Sequence, residues 1–292
     1  MKILVTGGLG FIGSHTVVSL REAGFSPVIV DNLYNSTQQA LEGIEAILGS
    51  KVPFYELDCT DKNGLAGIFA NEKFDGVIHF AAYKAVGESV QEPLKYYENN
   101  LVSLVSLLQL CQHYAVSNIV FSSSCTVYGE PDALPVTEDT VRKPAASPYG
   151  NTKAIGEDIL RDFIASKVGL KAISLRYFNP IGAHSSARIG ELPSGVPSNL
   201  VPYITQTAAG IRPELQVFGD DYNTPDGTCI RDFIHVVDLA KAHVKAIEKL
   251  MSEAPDFYDV YNVGTGRGHS VMELIRTFEK VSGMPLRYKI VP

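Results

Sequence analysis

Lys2-Ile3-Leu4-Val5-Thr6-Gly7-Gly8-Leu9-Gly10-Phe11-Ile12-Gly13 sets the architecture of this chain. A short apolar run of strand type ends at Thr6. Gly8, Gly10 and Gly13 follow at the spacing G-x-G-x-x-G, and Gly7, Gly10 and Gly13 give the variant G-x-x-G-x-x-G. Glycine is needed there because a tight turn from strand into helix must let backbone N–H groups approach a pyrophosphate, which then rests at the positive end of the helix. Alone, the pattern is only suggestive. Preceded by a buried-type strand and followed by helix-period residues 11–23, at the head of a βαβ series, it has the context a dinucleotide fingerprint requires.

Working outward, apolar runs at 2–6, 27–30, 52–57, 74–80, 118–122 and 171–176 read as strands. Residues 11–23, 37–48, 61–70, 93–113 and 149–166 between them read as helices. That alternation predicts an α/β, Rossmann-type doubly wound parallel sheet covered on both faces. Asp61 is placed to N-cap a helix, and Gly24 to end the first one. After Asn179-Pro180 the texture becomes Gly- and Pro-rich around one helix at 198–209, which predicts a smaller substrate-side lobe. A helix at 238–251, a strand at 259–263 and a helix at 270–281 follow and return partly to the main body. The expected division is 1–180 for a dinucleotide-binding domain and 181–292 for the smaller one.

With 292 residues and 45% hydrophobic content, the chain can bury a full core without disulfides. Cys59, Cys111, Cys125 and Cys229 have no paired spacing, and with the seven histidines they form no zinc-like cluster, so no metal is expected and a reducing, cytoplasmic location fits. The N-terminus enters its strand without a leader, and the most apolar stretch, 101–110, is too short to span a bilayer. A net charge of -7 disfavours a nucleic-acid groove. Any anionic ligand must be held by local donors.

Asp31 ends the second strand, where a carboxylate can accept hydrogen bonds from ribose hydroxyls and repel a 2'-phosphate, so NAD is favoured over NADP. Further on come Ser122-Ser123-Ser124 and Tyr149-Gly150-Asn151-Thr152-Lys153. A phenol with a reference pKa of about 10 needs about 4 kcal/mol of stabilisation to act as phenolate near pH 7. Lys153, one helical turn on, can supply part of it. Ser124 can hydrogen-bond the same substrate oxygen, whereas Ser122 and Ser123 read more plainly as strand-end caps. A Tyr-x-x-x-Lys string by itself is commonplace on amphipathic helices; its weight here comes from following a phosphate loop and an acidic ribose reader.

Longer strings resemble the extended short-chain dehydrogenase/reductase family, in particular its members that epimerise UDP-hexoses. They are Thr6 through His15, Asp31-Asn32-Leu33-Tyr34-Asn35-Ser36, His79-Phe80-Ala81-Ala82-Tyr83-Lys84, Ser122 through Gly129, Arg176 through His184 and Asp226 through Val236, and the likeness spans the whole chain. The resemblance implies NAD contacts from Phe11, Ile12, Asp31, Asn32, Leu33, Tyr34, Asn35, Ser36, Asp58, Cys59, Phe80, Ala81, Ala82, Tyr83, Lys84, Asn99 and Phe178, besides the Gly loop. It makes Ser124, Tyr149 and Lys153 the catalytic group, all three also close to the cofactor. It assigns Lys84, Ser124, Tyr149, Asn179, Asn199, Leu200, Phe218 and Arg231 to a UDP-hexose, with Arg231 on the diphosphate. The implied reaction is oxidation at C4', rotation of the 4-keto sugar and hydride return, an isomerase reaction with NAD regenerated in place. A homodimer through the helices at 93–113 and 149–166 is also implied.

The family pattern continues beyond a strand such as 286–291 with a second diphosphate arginine. Arg231 alone therefore predicts weak UDP-sugar affinity beside normal NAD content. On residues alone, Asp58 also reads as a turn former and Phe218 as a core aromatic. Sugar-nucleotide dehydratases and decarboxylases of the same family place a carboxylate beside the hydroxyl that Ser124 matches, where this chain has Cys125 and Thr126, so epimerisation is favoured. A non-catalytic NAD sensor would not need Ser124, Tyr149 and Lys153 together.

Overall fold

A computed structural model describes residues 1–193 and 195–292. In chain order its strands are β1 (Lys2–Thr6), β2 (Ser26–Asp31), β3 (Phe54–Glu56), β4 (Gly76–His79), β5 (Asn118–Ser124), β6 (Lys171–Tyr177), β7 (Asn179–Ile181), β8 (Leu215–Phe218), β9 (Ile230–His235), β10 (Tyr258–Val263), β11 (Gly268–Ser270) and β12 (Tyr288–Val291). Its helices are α1 (Phe11–Glu22), α2 (Gln38–Leu48), α3 (Lys62–Glu72), α4 (Val86–Gln91), α5 (Pro93–His113), α6 (Pro148–Ala165), α7 (Leu200–Ala208), α8 (Val236–Ser252) and α9 (Val271–Ser282).

Seven strands form one parallel sheet in the order β10-β6-β5-β4-β1-β2-β3. Strand β1 is central, and Ile3, Leu4 and Val5 are buried because helices cover both faces, which is why the run is continuously apolar rather than alternating. The order reverses at β1, whose neighbours are β2 on one side and β4 on the other. That reversal opens a crevice at the carboxyl ends of the strands, the place where α/β sheets bind ligands. One face is packed by residues such as Val17, Leu20, Leu239 and Ile247 from α1 and α8, the other by Leu65, Phe69, Leu104, Leu107 and Leu160 from α3, α5 and α6.

The helix ends follow from their residues. Asp61 accepts from the N–H of Gly64 at 3.0 Å, as an N-cap should, and Gly24, at φ +86°, turns the chain after α1. Helix α6 begins one residue ahead of its expected start, at Pro148, because Ser147 caps it through the N–H of Gly150 at 3.2 Å. The strands at 52–57 and 74–80 shorten to β3 and β4.

The rest of the chain builds a three-stranded sheet, β11-β9-β7, and a parallel pair, β12-β8. A separate small core fills it: Ile204, Leu215, Val217, Met272, Ile275 and Leu286. Helix α8 and strand β10 return to the large sheet, with Val263 opposite Tyr177. Among the described residues, no helix is long and apolar enough to cross a membrane.

Candidate active site

The crevice at the end of β1 is a cleft of about 540 Å³. Gly7, Gly10, Phe11, Ile12 and Gly13 form its floor. Gly7 has φ +68°, and a Cβ there would sit 2.8 Å from the N of Ala81, so only glycine lets β1 turn this close to the end of β4. A Cβ on Gly13 would overlap the carbonyl oxygen of Gly7. Gly10 N-caps α1 with no side chain on its N–H groups, so the helix start is left open to an anion. These features fit a dinucleotide pyrophosphate.

Asp31 lines the same cleft, and its carboxylate is already engaged. Oδ2 accepts from the N–H of Leu9 at 3.0 Å, while Oδ1 accepts from the N–H of Leu33 at 3.0 Å and from the Ser36 hydroxyl at 2.7 Å. The residue therefore caps its own turn and braces the Gly loop as well as bordering the cleft. Asp58, which also lines it, accepts from Asn32 and from both the N–H and the hydroxyl of Thr60; these bonds hold its carboxyl below the usual range although burial pushes the other way. Its two sequence readings, turn former and cleft residue, hold together.

Asn32, Tyr34, Asn35, Ser36, Cys59, Phe80, Ala81, Ala82, Tyr83, Lys84 and Asn99 complete this side. Leu33 and Phe178 do not reach the lining: Leu33 takes a left-handed turn at φ +57°, and Phe178 packs where a Cβ on Gly264 would be 2.8 Å from its ring.

Tyr149 and Lys153 enter the cleft from the first turns of α6. Lys153 is 4% exposed, and its Nζ lies 5.9 Å from the Tyr149 ring centroid and 5.1 Å from that of Phe121. Burial dominates both groups. It pushes the Tyr149 phenol up to about 12, against the pull of the Ser124 hydroxyl, and the Lys153 ammonium down to about 7. In the protein alone, desolvation thus outweighs the attraction that the Tyr-x-x-x-Lys spacing suggests.

Ser124 ends β5. Its Oγ accepts from the N–H of Thr126 at 3.2 Å and from the Thr126 hydroxyl at 2.9 Å, which caps the short 3-10 turn Cys125–Tyr128 and leaves its own proton to donate. The capping part expected of Ser123 belongs to Ser124, because the Ser123 hydroxyl is drawn instead to Glu157 at 2.5 Å. Glu157 is in turn clamped by Arg176, Nε to Oε1 at 2.9 Å and Nη2 to Oε2 at 2.7 Å, in a buried pair beneath the end of β5.

Of the residues read as sugar-nucleotide contacts, Lys84, Tyr149 and Asn199 line the cleft; Ser124, Asn179, Leu200, Phe218 and Arg231 sit outside that lining, on β5, β7, α7, β8 and β9. Phe218 is 64% exposed, so it is no core aromatic; its neighbours Leu215 and Val217 fill the core because alternate residues of β8 point inward. Arg231 donates to the carbonyl of Ile230 at 2.8 Å, and its charge opposes the rise that burial gives the Cys125 thiol.

Glu191 was not legible beforehand. Its Oε1 accepts from Lys84 at 3.3 Å and from Asn199 at 2.6 Å inside the cleft, but it stands in a Gly- and Pro-rich connection with no periodicity to mark it. Tyr177 also borders the cleft, and its place in the string beginning at Arg176 was the available signal. Among the described residues, no cluster of three or more His, Cys, Asp or Glu side chains could hold a metal ion.

The profile of the NAD dependent epimerase/dehydratase family matches residues 3–264. The chain is 51% identical over 290 residues to a UDP-glucose 4-epimerase of Dictyostelium discoideum, covering 99% of this chain and 84% of that protein. To the UDP-glucose 4-epimerase of Neisseria meningitidis serogroup B it is 52% identical over 291 residues, covering 100% and 85%. The crystal structure of UDP-glucose 4-epimerase from Bifidobacterium longum in complex with NAD+ and UDP superposes with a TM-score of 0.96 at 48% identity, covering 100% of this chain and 86% of that one.

Proposed function

The chain belongs to the NAD dependent epimerase/dehydratase family, and from that premise we infer that it is an NAD-dependent isomerase that interconverts UDP-galactose and UDP-glucose at C4' of the hexose. The observation that carries this reading is identity near 50% to UDP-glucose 4-epimerases over nearly the whole chain. NAD, when bound, supplies the hydride acceptor and donor for C4', so the enzyme completes a turnover without net oxidation.

The chain's own residues do the rest. Tyr149 takes the proton of the 4'-hydroxyl, and Lys153 favours the phenolate that results. Ser124, its Oγ fixed by Thr126, donates to the same substrate oxygen and offsets charge developing there. Cys125 and Thr126 offer no carboxylic acid for expelling the 6'-hydroxyl, which argues against a dehydratase. Inversion requires the 4-keto sugar to turn over, so binding energy belongs on the UDP. Lys84, Asn179, Asn199, Leu200, Phe218 and Arg231 are the proposed contacts.

The proposed division of labour is 1–180 for the cofactor and 181–292 for the substrate, with α8 and β10 lent back to the first. Exposed Leu94, Val102 and Val105 on α5 support burial against a second copy. The unpaired cysteines support a cytoplasmic setting.

The test is incubation with UDP-galactose in deuterated water. The expected product is UDP-glucose of unchanged mass with no deuterium at C4'. A product lighter by one water would establish a dehydratase, and solvent deuterium at C4' would exclude direct return of the hydride.

A further inference from the structure

Tyr34 and Tyr83 come from loops on opposite sides of the Gly loop. Because β1 lies between β2 and β4, the loop leaving β1 is flanked by the loop leaving β2, which carries Tyr34, and by the loop leaving β4, which carries Tyr83. Yet the two rings meet, with centroids 4.7 Å apart at an interplanar angle of 54°, and both line the cleft. Contact between the outer two of three adjacent loops makes an arch across the middle one.

Lys95, on α5, ties that arch together. Its Nζ donates to the Tyr34 hydroxyl at 3.0 Å and to Glu88 Oε1 at 2.6 Å, and lies 5.4 Å and 5.1 Å from the Tyr34 and Tyr83 ring centroids. Glu88 is steadied by the Tyr96 hydroxyl, which donates to its other oxygen at 2.6 Å. On the Tyr83 side the backbone is pinned: its N–H donates to Asn100 Oδ1 at 2.8 Å, and its carbonyl accepts from Asn100 Nδ2 at 3.1 Å. The Tyr34 backbone is pinned too, its N–H donating to Asn32 Oδ1 at 3.1 Å within the turn that Asp31 holds through Leu33 and Ser36, but its side chain is 52% exposed and its hydroxyl is held by Lys95. The Tyr34 side chain is the member of the arch that can swing, and Lys95 is what its hydroxyl must let go of.

We propose that Lys95 is a cofactor-retaining residue, which holds the Tyr34–Tyr83 arch closed across the mouth of the Gly loop so that NAD leaves only when the Lys95–Tyr34 contact breaks. The proposal rests on NAD as the cofactor. It suits a reaction in which the hydride is returned at each turnover, since the cofactor never has to exchange. Lys95 acts through the two tyrosines and touches none of the reacting atoms.

The experiment measures how fast NAD leaves the purified, NAD-loaded protein, with free NAD trapped by an excess of an NAD-reducing dehydrogenase. Removing a charge-assisted hydrogen bond and a cation–π contact in Lys95→Met should speed release about tenfold, with Lys95→Arg within about threefold of wild type and Tyr34→Phe in between. A purely structural part for Lys95 would lower the thermal midpoint of the NAD-free protein and leave the release rate alone. Release from Lys95→Met at the wild-type rate, or equal rates for the Met and Arg variants, overturns the proposal. Should Lys95→Met fail to fold, Tyr34→Phe decides by the same comparison, since it removes a single oxygen. A wild-type protein that takes up no NAD would defeat the cofactor reading and the arch with it; wild-type binding with unchanged release in the variants defeats the arch alone.

Discussion

The ammonium of Lys153 stands 5.9 Å from the centre of the Tyr149 ring, one helical turn away on α6, and is packed against Phe121 rather than bound to a carboxylate. A cation buried without an anion is held at a cost to folding. That placement suits the part proposed for Lys153 beside Tyr149.

That cost has a definite pH dependence. The Lys153 amine titrates at about 7 in the folded protein against 10.5 in the unfolded chain. Between those values the unfolded state binds the extra proton, so this group's contribution to stability rises with pH, and its penalty is complete below about pH 7. Lys153→Met should therefore raise the thermal midpoint of the cofactor-free protein, most at pH 6 and progressively less toward pH 10. Melting curves across that range check it; a gain independent of pH would contradict the assignment.

Activity should move the other way. Without the Lys153 charge the Tyr149 phenolate loses its nearest cation, so the base needs a higher pH to ionise. The rising limb of the pH–rate profile in Lys153→Met should shift to alkaline pH, read from initial rates with UDP-galactose.

Tyr149→Phe removes the acidic oxygen and little volume. NAD content should stay near that of the wild type, while turnover falls by about 100-fold or more, the usual worth of a positioned general base. Absorbance of the released cofactor and an assay with UDP-galactose give the two numbers, and wild-type turnover in this variant would remove Tyr149 from the mechanism.

The glycines of the first loop should separate into two kinds. A Cβ on Gly10 meets only the Gly7 carbonyl oxygen, at 3.3 Å, whereas one on Gly13 overlaps that oxygen and crowds Gly8. Gly10→Ala should fold and bind NAD weakly, because the added methyl stands in the open start of α1. Gly13→Ala should lower the thermal midpoint even without NAD. Melting and equilibrium dialysis distinguish the two.

Beneath the end of β5, Glu157→Ala would leave the buried Arg176 guanidinium with no carboxylate, only the Tyr128 hydroxyl and the Glu138 carbonyl, and would free the Ser123 hydroxyl. Breaking such a pair costs about 3–5 kcal/mol, which urea unfolding would register as a lowered midpoint.

What could be read beforehand was local. Strand β1, the glycine loop, Asp31 with its turn and the Tyr149–Lys153 spacing are each contained within a few neighbouring residues, and their backbone demands are written in the residues themselves. Other features depend on partners far along the chain. Strand β8 has four residues, two of them exposed, and is paired by β12 some seventy residues later, so alternation alone could not say what would cover it. Likewise Glu191 gains its place from Lys84 and Asn199, and Glu157 from Arg176, and nothing in a lone carboxylate announces its neighbour. Helical spacing likewise fixes the proximity of Tyr149 and Lys153 but not the desolvation around them, which depends on residues brought in from other parts of the fold.

The chain leaves the large sheet twice at the same level. Tyr177 ends β6 opposite Val263 at the end of β10, the N–H of Phe178 donates to the carbonyl of Val263 at 3.2 Å, and Phe178 packs on Gly264 just beyond. Two parallel strands thus step out side by side, while β9 runs straight into α8, so the strands β7, β9 and β11 are tied to the large sheet at three crossings. Any displacement of the smaller strands must be absorbed at all three crossings at once, and one that parted Phe178 from Val263 would also break the hydrogen bond that couples two of them.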